Sequence, residues 1–155
     1  MTTQVNVLLN KKRYFYNKYS EEIVSEELIN YIYNESVGNN FKNKIKINIK
    51  CNFEVNDEEK EKMIEMIRKN FKKKVQEELY TYEKEQDKKG ILLALGIALL
   101  ILYYTNFTTI LKDVMLIVGW ISVCSSIYGL IFSSTKSYVD INRLRNLSKA
   151  RIYFE

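Results

Sequence analysis

The sequence predicts an α+β/α membrane protein, in which a small cytosolic α/β domain of two or three strands and two helices is fused to a two-helix transmembrane hairpin. Two stretches of 22 uncharged residues, 90–111 and 114–135, carry this prediction. As a helix, each stretch reaches about 33 Å, which matches the hydrocarbon thickness of a bilayer. Because only Lys112 and Asp113 separate the stretches, we expect two antiparallel spans joined by a tight turn.

The flanks of the two apolar stretches predict the orientation in the membrane. Residues 70–89 and 136–155 together contain 11 Lys and Arg residues, whereas the predicted turn contains only Lys112. Since basic flanks resist translocation, both termini are predicted to be cytoplasmic, in a protein that crosses the cell membrane twice. The predicted regions are a cytosolic domain over 1–89 that ends in a long juxtamembrane helix over 57–89, the hairpin over 90–135 and a basic cytosolic tail over 136–155.

The first part of the cytosolic domain is predicted to form a strand and then a helix. Val5, Val7 and Leu9 alternate with the polar residues Asn6 and Asn10, which is typical of a short strand. Further along the chain, apolar residues recur at spacings of three and four residues from Ile23 to Ile32, and the segment 37–40 is expected to end the helix. Ser20 precedes this pattern and is a suitable N-cap residue, so we expect a helix that begins there.

A second strand and a second helix follow. Apolar and polar residues alternate without exception over 45–55, which predicts a strand with one buried face. Asn56 and Glu59 then match the capping-box pattern at the start of a helix. The chain has no proline and no glycine between Gly38 and Gly90. Residues 57–104 are therefore expected to form either one helix of about 72 Å or two nearly coaxial helices with a bend near Gly90.

The C-terminal tail is a candidate third strand. Two strands alone would form a marginal sheet, so the predicted domain needs another edge. Residues 150–154 alternate between apolar and polar side chains. The third strand then comes either from this tail or from another subunit, with the sheets pairing across a symmetry axis.

Small residues form stripes in both apolar stretches, and such stripes allow helix backbones to approach closely. Either the two stripes face each other within one chain, or at least one faces a neighbouring subunit in a homo-oligomer. In the second case the serine hydroxyls could line a polar pore, although a hydroxyl in a span often bonds to its own helix. The residues of this predicted helix-packing or oligomer seam are Gly90, Ala94, Ala98, Gly119, Ser122, Ser126, Gly129 and Ser133.

The residue types that are missing argue against catalysis. Histidine is absent, which removes the commonest general base and the usual zinc ligand. Cys51 lies in the predicted cytosolic domain and Cys124 in the second apolar stretch, so the two cannot pair. The sequence contains no glycine-rich phosphate loop, and neither apolar stretch contains a charged residue that could couple transport to an ion. We therefore expect no enzyme activity, no metal site and no cofactor.

Two groups of basic residues are candidate contacts for an anionic ligand or for lipid headgroups. The first is Lys11, Lys12 and Arg13, which precede three aromatic residues. This mixture is typical of single-strand nucleic-acid sites and of membrane-interface segments, but also of basic side chains that pack around a turn. The second group is Lys44, Lys46 and Lys50 on the polar face of the predicted strand, which is alternatively a solvated sheet face.

These observations leave two hypotheses for function. The chain is either a homo-oligomeric membrane effector or channel-like assembly controlled by its cytosolic domain, or a membrane anchor or accessory subunit that recruits a cytosolic partner. In layout it resembles the small two-span effectors of bacterial defence systems, which implies the first role. A composition rich in Lys, Asn and Ile suggests a bacterial source. The expected partners are the lipid bilayer, further copies of the chain, and a cytosolic protein or anionic ligand, with nucleic acid not expected.

Overall fold

The computed structural model describes residues 2–37, 43–105 and 109–154. The chain divides into two compact units. The globular unit consists of Met1–Glu77 and Val139–Glu155, and the helical unit consists of Glu78–Tyr138. The chain therefore leaves the globular unit once and returns to it with its C-terminal residues.

The described residues contain five strands, three α-helices and a short 3₁₀ helix over Lys12–Tyr14. The strands are β1 (Thr2–Leu9), β2 (Tyr16–Asn17), β3 (Ser20–Val24), β4 (Lys44–Cys51) and β5 (Arg151–Phe154). The helices are α1 (Glu26–Val37), α2 (Asp57–Tyr104) and α3 (Thr109–Ser148).

The main sheet has three parallel strands in the order β1-β4-β5. Val5 of β1 pairs with Ile47 of β4, and Ile47 also pairs with Ile152 of β5. The C-terminal tail thus supplies the third strand from within the same chain. Parallel neighbours need long crossover connections, and helices lie on both connections here, with α1 between β1 and β4 and with α2 and α3 between β4 and β5.

One face of the main sheet is buried against helices. Every second residue of β1 and β4 points inward, as the predicted alternation requires. Residues from all three helices complete the core of the globular unit. Its fully buried members include Val5, Ile47, Ile49, Ile29, Ile32, Met63, Ile67, Phe71 and Leu147.

The predicted start of the first helix is wrong. Residues Ser20–Val24 form β3, which pairs antiparallel with β2 through Tyr16 and Val24. The helix begins after Ser25, whose Oγ accepts a hydrogen bond from the Leu28 backbone N–H at 3.3 Å. The β-branched pair Ile23 and Val24 favours a strand, so Ser25 and not Ser20 is the N-cap.

The start of α2 follows the predicted capping pattern. The Asp57 backbone N–H donates to Asn56 Oδ1 at 2.7 Å, and the Lys60 N–H donates to the Asn56 carbonyl at 3.0 Å. The hydrogen bond from Lys12 and, to a smaller extent, one from the backbone of Asn56 lower the pKa of Glu59. Of the two alternatives for residues 57–104, the structure has one uninterrupted helix.

The predicted two-helix transmembrane hairpin is wrong. Among the described residues, one helical segment, Lys112–Ser148 of α3, is long and apolar enough to cross a membrane. The apolar part of α2 runs from Gly90 to the helix end at Tyr104, which spans about 22 Å and falls short of the hydrocarbon core of a bilayer. The contradicted span is the first one, 90–111, whereas the second, 114–135, lies within the segment that passes this test. The resemblance to two-span effectors fails with the first span.

The predicted turn between the apolar stretches is also wrong. α2 already ends at Tyr104, and Thr105 closes its last turn by donating from Oγ1 to the Leu102 carbonyl at 2.8 Å. Lys112 and Asp113 lie inside α3. A single Lys-Asp pair is compatible with helix geometry, so these charges interrupt the hydropathy pattern without interrupting the helix.

Within the helical unit, α2 and α3 contact each other at glycines. A Cβ atom added to Gly96 would lie 3.0 Å from the Gly119 carbonyl oxygen, and one added to Gly129 would lie 3.1 Å from Lys89 Cε. Gly96 of α2 contacts Gly119 of α3, whereas Lys89, nearer the N-terminus of α2, contacts Gly129, nearer the C-terminus of α3. The two helices are therefore antiparallel where they touch.

Candidate anion-binding site

The candidate site begins on the outward face of the main sheet. Because Ile45 and Ile47 point into the core, Lys44 and Lys46 of β4 lie on the opposite face. Arg151 of β5 is the register partner of Lys46. The alternation of both strands therefore places two cations side by side on neighbouring strands, where like charges repel.

The end of α3 adds a further cation to this edge of the sheet. The last turn closes by hydrogen bonds from the Lys149 N–H to the Asn146 carbonyl at 3.3 Å and from the Ala150 N–H to the Leu147 carbonyl at 3.1 Å. Arg68 of α2 donates to the Ala150 carbonyl at 3.4 Å. These bonds fix the short connection from α3 to β5, and with it the positions of Lys149 and Arg151.

These elements enclose a pocket of about 520 Å³ in the globular unit. We call it the basic pocket. Four of its lining residues are cations, and none of the described residues that line it is acidic. Its lining consists of Asn43, Lys44, Ile45, Lys46, Asn146, Lys149 and Arg151.

The charge of the basic pocket is not neutralised within the described part of the chain. Lys44, Lys46, Lys149 and Arg151 form no ion pair with another described residue. Lys149 directly follows the last residue of α3, where a positive charge interacts favourably with the helix dipole. For Lys46 and Arg151, on β4 and β5, the described residues provide no opposite charge. The arrangement is suited to bind an anion, and it offers an arginine fork and ammonium groups as donors.

The other predicted basic residues lie outside the basic pocket. Lys50 is exposed on the outward face of β4 but does not line the pocket. Lys12 donates to Glu59 Oε1 at 2.8 Å, and this hydrogen bond raises the pKa of Lys12 and lowers that of Glu59. Arg13 lies over the Tyr14 ring at 5.2 Å from its centroid. Lys11 is exposed at the start of the 3₁₀ helix.

The structure distributes the predicted seam residues over different surfaces. Gly119 and Ser126 are buried in the helical unit, whereas Ser122 and Gly129 are half-buried there. Gly119 contacts Gly96 and Gly129 contacts Lys89, so this stripe of α3 faces α2. The stripe of α2, which consists of Gly90, Ala94 and Ala98, is exposed. The side chain of Ser133 lies outside the described residues.

The serine hydroxyls of α3 bond within their own helix. Ser122 Oγ donates to the Val118 carbonyl at 2.8 Å, and Ser126 Oγ donates to the Ser122 carbonyl at 2.7 Å. Such i to i−4 bonds satisfy a hydroxyl without a partner on another helix. These two hydroxyls therefore bond to carbonyl groups of their own helix, which is the alternative to a pore lining that the sequence left open.

Sequence reasoning missed Lys149, Arg151 and Gly96. Arg151 falls at a polar position of the alternating tail, so that pattern could have placed it on the outward face beside β4 once the tail was assigned to the sheet. Lys149 depends on where α3 ends. Gly96 does not belong to the stripe of its own helix, which falls at positions 90, 94 and 98. Its contact with Gly119 exists only once the two helices pack.

The described residues also limit other kinds of chemistry. No group of three or more metal-ligating side chains occurs among them. Burial raises the pKa of the Cys51 thiol, which disfavours the reactive thiolate.

Comparisons with models of protein families, with curated proteins and with solved structures find no match to this chain. The geometry of the described residues is therefore the basis for a functional proposal.

Proposed function

We propose that this chain is a non-enzymatic membrane anchor or accessory subunit. Its helical unit attaches to a bilayer, and its globular unit recruits an anionic ligand or partner through the basic pocket. The observation that carries the proposal is the apolar surface of α3, on which many large apolar side chains are exposed. A surface of this kind marks a contact with lipid or with protein. Its members include Val114, Ile117, Trp120, Ile121, Ile131 and Phe132.

The connectivity and the charge distribution support one orientation. The chain leaves the globular unit at Glu77 and returns to it at Val139, so both ends of the helical unit connect to the same body. Basic residues are concentrated near both connections. Because such residues are retained on the cytoplasmic side, we place the globular unit in the cytoplasm.

Membrane attachment is tested by alkaline carbonate extraction of membranes from cells that express the chain. Ile121→Asp places a charge on the exposed apolar face of α3, which costs about 3 kcal/mol of insertion, and we expect this variant to be extracted. Tyr80→Asp is the matched control, because Tyr80 is exposed in the charged part of α2. Release of the unsubstituted chain by carbonate would contradict attachment.

The orientation is tested by labelling intact cells with a membrane-impermeant maleimide. In a background without Cys51 and Cys124, a Tyr19→Cys substitution introduces one thiol in the globular unit, where Tyr19 is 84% exposed. We expect no labelling until the cells are lysed. Labelling of intact cells would place the globular unit outside and overturn the orientation.

A self-associating membrane effector is the second candidate. It is supported by the exposed small-residue stripe of α2, since a Cβ atom added to Gly90 would meet nothing within 4 Å in this chain. The stripe of α3 does not support it, because that stripe faces α2. We expect an effector to release a dye from vesicles and Ala94→Leu to reduce both release and subunit number. Intact vesicles would favour the anchor.

A further inference from the structure

We infer that the basic pocket binds a small molecule or headgroup that carries two or more phosphate groups, an inference that rests on the recruitment role proposed above. The pocket encloses about 520 Å³, which exceeds the volume of a single inorganic anion and lies in the range of pockets for small ligands. The four cations that line it are Lys44, Lys46, Lys149 and Arg151.

Charge density favours phosphate over carboxylate. Each phosphate group carries between one and two negative charges near neutral pH, so two or three of them balance four cations within this volume. A carboxylate carries one charge, and an acidic peptide in extended conformation places successive same-side carboxylates about 7 Å apart. The pocket has several cations close together on two strands and one helix end, which matches a compact polyanion better than an extended one.

The donor types agree with this assignment. Arg151 offers a planar fork that can bind two oxygens of one phosphate, and the lysine ammonium groups offer point charges for the remaining oxygens. The pairing of Lys46 with Arg151 directs both side chains to one side of the sheet. No aromatic side chain is among the described lining residues. The pocket therefore selects the phosphorylated part of a ligand and offers no stacking surface for a base.

The test is calorimetric titration of the full chain in nanodiscs of neutral lipid with inorganic tripolyphosphate. Loss of one charge-assisted hydrogen bond weakens binding by roughly tenfold or more, so we expect Lys46→Gln and Arg151→Gln each to have this effect. Lys50→Gln is the matched control, because Lys50 lies on the same face of β4 outside the pocket. An equal loss in all three variants would reveal general surface attraction and overturn the inference.

A second arm separates the two sources of phosphate. The same variants are mixed with vesicles that contain a bisphosphorylated inositol lipid, and phosphatidylserine vesicles of equal charge serve as the control. Binding that depends on Lys46 and Arg151 in either arm supports the inference, and the arm that shows it identifies a free or a lipid-borne ligand. No such binding in either arm overturns the inference. Carbonate extraction reports membrane attachment separately, so that result leaves the anchor proposal standing.

Discussion

Gly96 of α2 and Gly119 of α3 lie so close together that a Cβ atom added to Gly96 would stand 3.0 Å from the Gly119 carbonyl oxygen and 2.9 Å from Val123 Cγ2. A Cβ atom essentially never lies within 3.0 Å of another heavy atom, so a side chain at Gly96 would displace Val123 or force the helices apart. Close backbone approach of this kind provides the packing that holds helices together where the surroundings are apolar.

The first prediction concerns this contact. Gly96→Leu should destabilise the helical unit by about 1 to 3 kcal/mol because it overpacks the contact between α2 and α3. Gly90→Leu should be neutral or slightly stabilising, since both substitutions improve helix propensity but Gly90 has open space around it. Unfolding of the two variants in mixed detergent measures the difference. Equal stability of the two would show that the glycine contact does not hold the helices.

The second prediction concerns the start of α1. Ser25→Ala removes the hydroxyl that accepts a hydrogen bond from the Leu28 N–H, and it should lower the free energy of unfolding by about 1 kcal/mol. Ser20→Ala should have a smaller effect, because Ser20 Oγ accepts a hydrogen bond from Glu22 within a strand and caps no helix. Urea denaturation of both variants makes the comparison. A larger loss for Ser20→Ala would restore the helix start predicted from sequence.

The third prediction concerns the core of the globular unit. Ile49 is fully buried on the inward face of β4, so Ile49→Asp should cost at least about 4 kcal/mol by placing an unpaired charge in the core. Lys50→Asp changes the next residue, which is exposed on the outward face, and should be tolerated. Limited proteolysis distinguishes the variants, with rapid cleavage of β4 expected for Ile49→Asp alone. Similar cleavage of both would mean that the strand register is wrong.

The fourth prediction concerns alkaline pH. Burial, together with a hydrogen bond from Tyr33 Oη to the Asp140 carboxylate at 2.9 Å, raises the pKa of Tyr33 above 10.0. Below that value both folded and unfolded chains keep the proton, and the stabilising contribution is complete. As the pH rises above it, the unfolded chain releases its proton first, so the free energy of unfolding should fall.

The measurement is urea denaturation at pH values below and above the ordinary tyrosine pKa. The decline should be shallower in Tyr33→Phe, which lacks the titrating group. Tyr19→Phe is the control, because Tyr19 is exposed, and it should keep the slope of the unsubstituted chain. If Tyr33→Phe keeps that slope as well, the part-buried hydrogen bond to Asp140 does not stabilise the fold.

Local patterns determined much of the globular unit. The alternation in β1, in β4 and in the tail determined which residues point inward, because side-chain direction in a strand depends only on position along the chain. Asn56 and Glu59 likewise determined where α2 begins, since a cap acts on backbone groups within one turn. The same alternation placed Lys44 and Lys46 on the outward face before any partner was known.

Other features were decided only by the tertiary structure, because they depend on contacts between residues far apart in sequence. The pairing of Ser20–Val24 with β2 overrode a helical pattern, as nonlocal pairing often overrides local propensity. The basic pocket exists because β5 lies beside β4 and brings Arg151 to Lys46, 105 positions earlier in the chain. The contact of Gly96 with Gly119 likewise needs two helices in place at once. The sequence by itself thus determined the faces of single elements, whereas the partners of those faces were set by packing.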